Sequence, residues 1–167
     1  HRLRAVKKSD AKTVRAFAAS LSALSTDYNK NIGAMHPSLQ RLKHIIHMFP
    51  ALVVPLEIRE SSNILMSPIK ARNKLAIYRM LKTIKNISLG GNPRAYVQGF
   101  IISMTSSIKH IQAAADFQRA VFKNIPLPII PLFEELSSLK NSAAFMSAFI
   151  KNSELKKAAL KNWGQKL

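Results

Sequence analysis

Apolar residues recur along this chain at helical spacing. Val14, Phe17, Ala18, Leu21, Leu24, Tyr28 and Ile32 keep an i, i+3, i+4 pattern, which predicts a first helix with Asp10 as N-cap and Gly33 at its end. Pro37 stands where a first helical residue belongs, and Leu39, Leu42, Ile45, Ile46 and Phe49 form the next stripe. Pro50 and Pro55 break that stripe, so residues 50–66 read as neither helix nor strand. Ser67-Pro68 then opens a helix running to about Ile87. Its Ile69, Ala76, Ile77, Met80, Leu81, Ile84 and Ile87 share one face, and Arg72, Lys74, Arg79, Lys82 and Lys85 occupy the other.

Leu89-Gly90-Gly91-Asn92-Pro93 reads as a stop and a restart, with glycine at the left-handed C′ position, Asn92 as cap and Pro93 opening the next helix. Residues 93–123 carry Tyr96, Phe100, Ile101, Met104, Ile108, Ile111, Ala115 and Phe122 at helical spacing, interrupted near Gly99. Ile125-Pro126-Leu127-Pro128-Ile129-Ile130-Pro131 is excluded from regular helix, because three prolines delete amide donors. Pro131 fits a first helical position, with Glu134 and Glu135 in the first turn, and a last helix runs from Ser142 to Trp163. No strand alternation, repeat or low-complexity segment stands out. The expectation is an all-α fold: one helical-bundle domain over residues 1–167, five or six amphipathic helices, with 1–9 as a basic tail.

Charge changes this picture from a generic bundle to a binding protein. Lys and Arg number 26 against 8 Asp and Glu, a formal +18, while 47% of the residues are hydrophobic. Disorder requires low hydrophobicity together with high net charge, so a folded body is expected. A body that sustains this self-repulsion calls for an anionic partner. Cysteine is absent, which excludes disulfides and thiolate metal sites. The chain begins at His1, as a secreted product relieved of its signal would. No window approaches the roughly 18–20 apolar residues of a membrane span.

Catalytic chemistry finds little support in the pattern. His44 and His47 would share a helix face, yet no carboxylate lies near them to complete a zinc site, and His36 and His110 stand elsewhere. Glu57 with Glu60, and Glu134 with Glu135, are the only close carboxylate pairs, and the second suits a helix N-terminus. Asp116 beside Phe117 reads as a core carboxylate meeting a lysine. Walker, Gly-x-Gly-x-x-Gly, Gly-x-Ser-x-Gly and His-Glu-x-x-His motifs are absent. The expectation is no enzyme, no cofactor and no metal.

Two cationic stripes are the candidate binding residues: Arg72, Lys74, Arg79, Lys82 and Lys85, and then Lys151, Lys156, Lys157, Lys161 and Lys166. No nucleic-acid motif accompanies them, and the aromatics are not interleaved among the lysines, so no specific nucleic-acid partner is expected. Ile45–Leu56, Val97–Met104 and Ile125–Phe133 lack any Lys, Arg, Asp or Glu. Beside cationic faces, such stretches suit docking on anionic lipid with apolar insertion as the second step. Phe49, Val53, Ile129, Ile130 and Phe149 are the candidates for insertion, although core packing accounts for each residue more simply.

The order of pieces in the C-terminal half resembles the sperm lysin and 18 kDa acrosomal protein family of abalone. The resemblance rests on the basic amphipathic helix 69–88, the Leu89–Pro93 break, a long segment ending Phe122-Lys123-Asn124, Ile125-Pro126, and Pro131-Leu132-Phe133-Glu134-Glu135-Leu136. It implies a secreted, non-enzymatic fertilisation protein of the sperm acrosome. One Trp and three Tyr are fewer than lysins carry, which favours the fusion-promoting paralogue, acting on an anionic membrane surface. Dissolution of the egg envelope through an egg-coat glycoprotein is the alternative, and a cationic antimicrobial or lipid-binding bundle a third. A homodimer is compatible with each.

Overall fold

A computed structural model describes residues 8–68 and 73–164, with side chains from residue 12 onward. Among them run α1 (Lys8–Ile32), α2 (Pro37–Met48), β1 (Leu56–Ser61), α3 (Ser62–Leu65), α4 (Ala76–Ser88), β2 (Val97–Ser103), α5 (Ile108–Phe122), β3 (Ile129–Pro131), α6 (Leu136–Lys140), α7 (Ser142–Lys151) and α8 (Ser153–Lys161). The fold is therefore mixed α/β, and the all-α bundle expected from periodicity is corrected. The three strands form one parallel sheet in the order β1-β2-β3. Parallel neighbours require crossover connections, which α3 and α4 supply between β1 and β2, and α5 supplies between β2 and β3.

Central position explains why β2 escaped the periodicity. A parallel strand covered on both faces reads as a continuous apolar run rather than an alternation. Val97, Gly99, Phe100 and Ile102 are all buried. In register, Phe100 lies between Ile58 of β1 and Ile129 of β3. The helix expected over 93–123 is thus three elements: a short 3-10 turn at Pro93–Ala95, then β2, then α5. Asn92 does cap that turn, accepting the Arg94 N–H at 3.0 Å. The left-handed residues at the preceding helix end are Leu89 and Gly90.

α5 is the central helix. Ile111, Ala113, Ala114, Ala115, Phe117, Gln118 and Val121 are buried, so it is covered on several faces, and its alanines admit close neighbours. α4 presents Ile77, Leu81 and Ile84 to this core, while Met80 of the expected apolar face is exposed. The expected last helix divides at Asn152, whose side chain accepts the Leu155 N–H and caps α8. Arg119 pairs with Asp116 on its own helix and with Glu154 of α8, tying the two helices together.

The N-terminal hairpin matches the sequence closely at its ends. Gly33 takes φ 75° after α1, and Pro37 opens α2 with His36 accepting the Ser38 N–H at 3.2 Å. Asp10 is not an N-cap, since α1 begins at Lys8. Within this hairpin Leu21 is the one buried apolar side chain of α1 among the described residues, and α2 has none.

Candidate functional site

Each parallel strand ends in polar residues, and the three ends meet at one rim. β1 closes with Arg59-Glu60-Ser61, β2 runs into Ser103-Met104-Thr105-Ser106, and β3 leads through Leu132-Phe133 to Glu134. Backbone bonds extend the sheet past its formal end. Leu132 N–H donates to Ile102 O at 2.9 Å, and Thr105 N–H donates to Leu132 O at 3.0 Å. Glu134 is thereby brought over the ends of the other two strands.

Glu134 holds the rim together. One oxygen accepts from the Arg59 guanidinium at 2.7 Å, and the other accepts the Met104 N–H at 2.7 Å. Met104 O in turn accepts the Ser62 hydroxyl at 2.9 Å. Met104 is fixed at both backbone groups in the left-handed region, with φ 55°. A non-glycine residue held there costs of order 1–3 kcal/mol, and such strain concentrates at ligand-binding sites.

His110 stands in the first turn of α5 at this same end. Its Nδ1 accepts the Ser106 N–H at 3.3 Å, and burial lowers its pKa below the ordinary histidine value. That acceptor bond requires Nδ1 to carry no proton. Below pH 6.5 the unfolded chain takes up a proton that the folded one resists, so this group contributes stability that is lost on acidification. An NMR titration should place His110 below its free value and move the Ser106 amide with it; a raised value would contradict the geometry.

Parallel α/β sheets bind ligands beyond the carboxyl ends of their strands, because helix N-termini and turning loops gather there. A cleft of about 640 Å³ lies instead at the amino ends, lined by His47, Glu57, Arg94, Gln98, Ile130 and Trp163 among others. It lacks the strained backbone and the bonded Arg–Glu pair of the rim, and we place the candidate site at the rim.

The residues singled out from the sequence lie elsewhere. Lys74, Arg79, Lys82 and Lys85 are exposed on or before α4; Arg72 lies outside the described residues, as does Lys166. Lys85 Nζ donates to Val121 O at 2.8 Å, and Lys82 lies over the Tyr78 ring. Lys151, Lys156, Lys157 and Lys161 are exposed on α7 and α8. Of the insertion candidates, Val53 and Ile130 are exposed and Phe49 is half-buried, whereas Ile129 (6% exposed) and Phe149 (8%) belong to the core. Asp116 meets Arg119, not a lysine, and is half-exposed. Glu134 and Glu135 were expected inside a helix opened by Pro131. Pro131 instead ends β3, and α6 starts only at Leu136.

The rim itself was not visible to sequence reasoning. Its signal was three apolar runs, each giving way at once to hydroxyl or charged residues.

Residues 56–166 match the family model of phosphoenolpyruvate carboxylase. The match opens on the first residue of β1 and takes in all three strands, the rim and α8. No curated protein matches the chain. The resemblance to sperm lysins is overturned by this finding, and the fold explains its error. Ile125-Pro126 and Pro131 bracket a parallel strand, and Glu134 serves a contact with Arg59 rather than a helix start. A family that takes its name from an enzyme also stands against the expectation of a chain without enzymatic chemistry. With the match spanning well over half of its length, the chain belongs to the phosphoenolpyruvate carboxylase family.

Proposed function

We propose that the carboxyl-end rim binds phosphoenolpyruvate, or a similarly small phosphorylated carboxylate, as this chain's part in a carboxylation. The observation that carries the reading is the Arg59–Glu134–Met104 contact across the three strand ends. Arg59 presents a planar fork of donors suited to phosphate and carboxylate oxygens. Glu134 fixes that fork against the sheet while itself held by the Met104 amide, so the guanidinium is oriented before substrate arrives. The N-terminus of α5 adds the positive end of a helix dipole at the same place. His110, in the same turn and neutral at physiological pH by its lowered pKa, is suited to proton transfer rather than charge pairing. The formal +18 raises the local concentration of a multiply charged anion.

The test is phosphoenolpyruvate binding by calorimetry or NMR, paired with incorporation of labelled inorganic carbon that depends on phosphoenolpyruvate. Arg59→Ala should weaken binding about 10–100-fold, the effect of losing a charge-assisted contact worth about 1.5–3 kcal/mol. Arg59→Lys should recover only part of it, since a point charge cannot replace the fork. Equal affinity in wild type and Arg59→Ala would remove the rim from the reading.

A further inference from the structure

The N-terminal hairpin has an apolar surface that the body of the protein does not cover. On α2, Leu42, Ile45 (45% exposed) and Met48 (50%) are exposed, and Leu52, Val53 and Val54 continue the exposed apolar surface beyond it. Leu39, Ile46 and Phe49 are the half-buried positions of this segment. Arg41, Ile45 and Met48 fall at i, i+4, i+7, so a cation sits within the exposed apolar face, and Lys43 and His44 flank it. Phe17, Leu24 and Ile32 of α1 are exposed on the same hairpin.

We infer that this hairpin docks on an anionic lipid surface, with α2 lying in the interface plane. Charge selects the occupant. Residues 1–50 hold nine Lys and Arg against two Asp, on a chain of +18, so a second copy is repelled while an anionic surface is attracted. Shape points the same way. The exposed side chains come from two helices and an extended segment, an arrangement that suits shallow insertion beneath lipid headgroups. Arg41 and Lys43 can reach the headgroups along their aliphatic stems while Ile45 and Met48 enter the acyl boundary. Among the described residues no helix is long and apolar enough to cross a membrane, so the contact proposed is interfacial.

Vesicle co-sedimentation tests this with phosphatidylcholine containing about 30% phosphatidylserine against phosphatidylcholine alone. The wild type should bind the anionic vesicles and not the neutral ones. The charge-neutral double variant Ile45→Ser/Met48→Ser should bind at least roughly tenfold more weakly, with its circular dichroism and its retention on heparin unchanged. Arg59→Ala should bind vesicles as the wild type does, which separates this surface from the carboxyl-end rim. The inference is overturned if the wild type ignores anionic vesicles, or if the double variant binds them undiminished. It is equally overturned if sedimentation equilibrium shows a dimer that the double variant dissociates, since the face would then belong to a second copy.

Discussion

Truncation of Phe100 to alanine should destabilise the protein by about 3–5 kcal/mol, the range for deleting a fully buried aromatic ring. Phe100 has no exposed surface and stands at the middle of the central strand. Its backbone pairs in register with Ile58 and Ile129, and its N–H donates to Pro128 O at 2.8 Å. The two edge strands are therefore positioned through this residue, and alanine leaves a cavity where their side chains converge. The cost should appear in denaturant unfolding as a lower midpoint with an unchanged slope. Phe17→Ala on α1, where the ring is 43% exposed, supplies the control and should cost under about 1 kcal/mol. If both variants lose the same stability, the sheet is not the centre of the core.

That contrast also locates the features that were legible in the sequence. Helix boundaries governed by backbone chemistry came through: Gly33 ends α1, Pro37 opens α2, Asn92 caps the turn at Pro93, and 125–131 is not helical. Each depends on a φ restriction, a local cap or a missing amide that acts within a few residues. The strands did not come through, because burial on both faces removes the alternation that marks a strand. Phe100, Ile101 and Met104 could be counted as a helical stripe only because apolar residues fill almost every position there. The 56–61 segment was obscured differently, being short and edge-placed, with Leu56 and Glu57 exposed and a register shift between them.

The rim was hidden for a related reason. Arg59, Met104 and Glu134 are far apart in sequence and meet only because three parallel strands end together. Once the sheet was read as helix, Glu134 had a sufficient local explanation as a first-turn carboxylate. The cationic helices drew attention instead, since charge is visible without topology. Their lysines are exposed, and the body of the protein uses two of them locally, Lys85 on a carbonyl and Lys82 on a ring.

Gln118 offers the second large effect, and it tests how the chain enters β3. Its side chain is fully buried and makes both of its bonds to one residue: Nε2 donates to Leu127 O at 3.0 Å, and Oε1 accepts the Leu127 N–H at 2.8 Å. Leu127 lies between Pro126 and Pro128, so it holds the single amide donor of that tripeptide, and it too is fully buried. The neighbouring carbonyls have their own partners: Ile125 O accepts the Trp163 indole N–H at 3.0 Å and Pro128 O accepts from Phe100. Gln118→Leu keeps the volume but strands a buried donor and a buried acceptor, each costing about 1–3 kcal/mol, so a loss of about 2–5 kcal/mol is expected. Gln118→Glu separates this account from mere crowding. Protonated, the new carboxyl can still donate to Leu127 O and accept its N–H; ionised, it is a buried charge facing a carbonyl. Its folded pKa must therefore rise above the free value of about 4.3. Below that value both states are protonated and the deficit against wild type is smallest. As pH climbs from there toward the folded pKa, the unfolded state sheds its proton first and the deficit grows. Unfolding free energies of the two proteins, compared from about pH 4 to about pH 8, should diverge in that direction. A pH-independent difference, or a Gln118→Leu protein as stable as wild type, would show that the proline-flanked turn into β3 is held by something other than this amide.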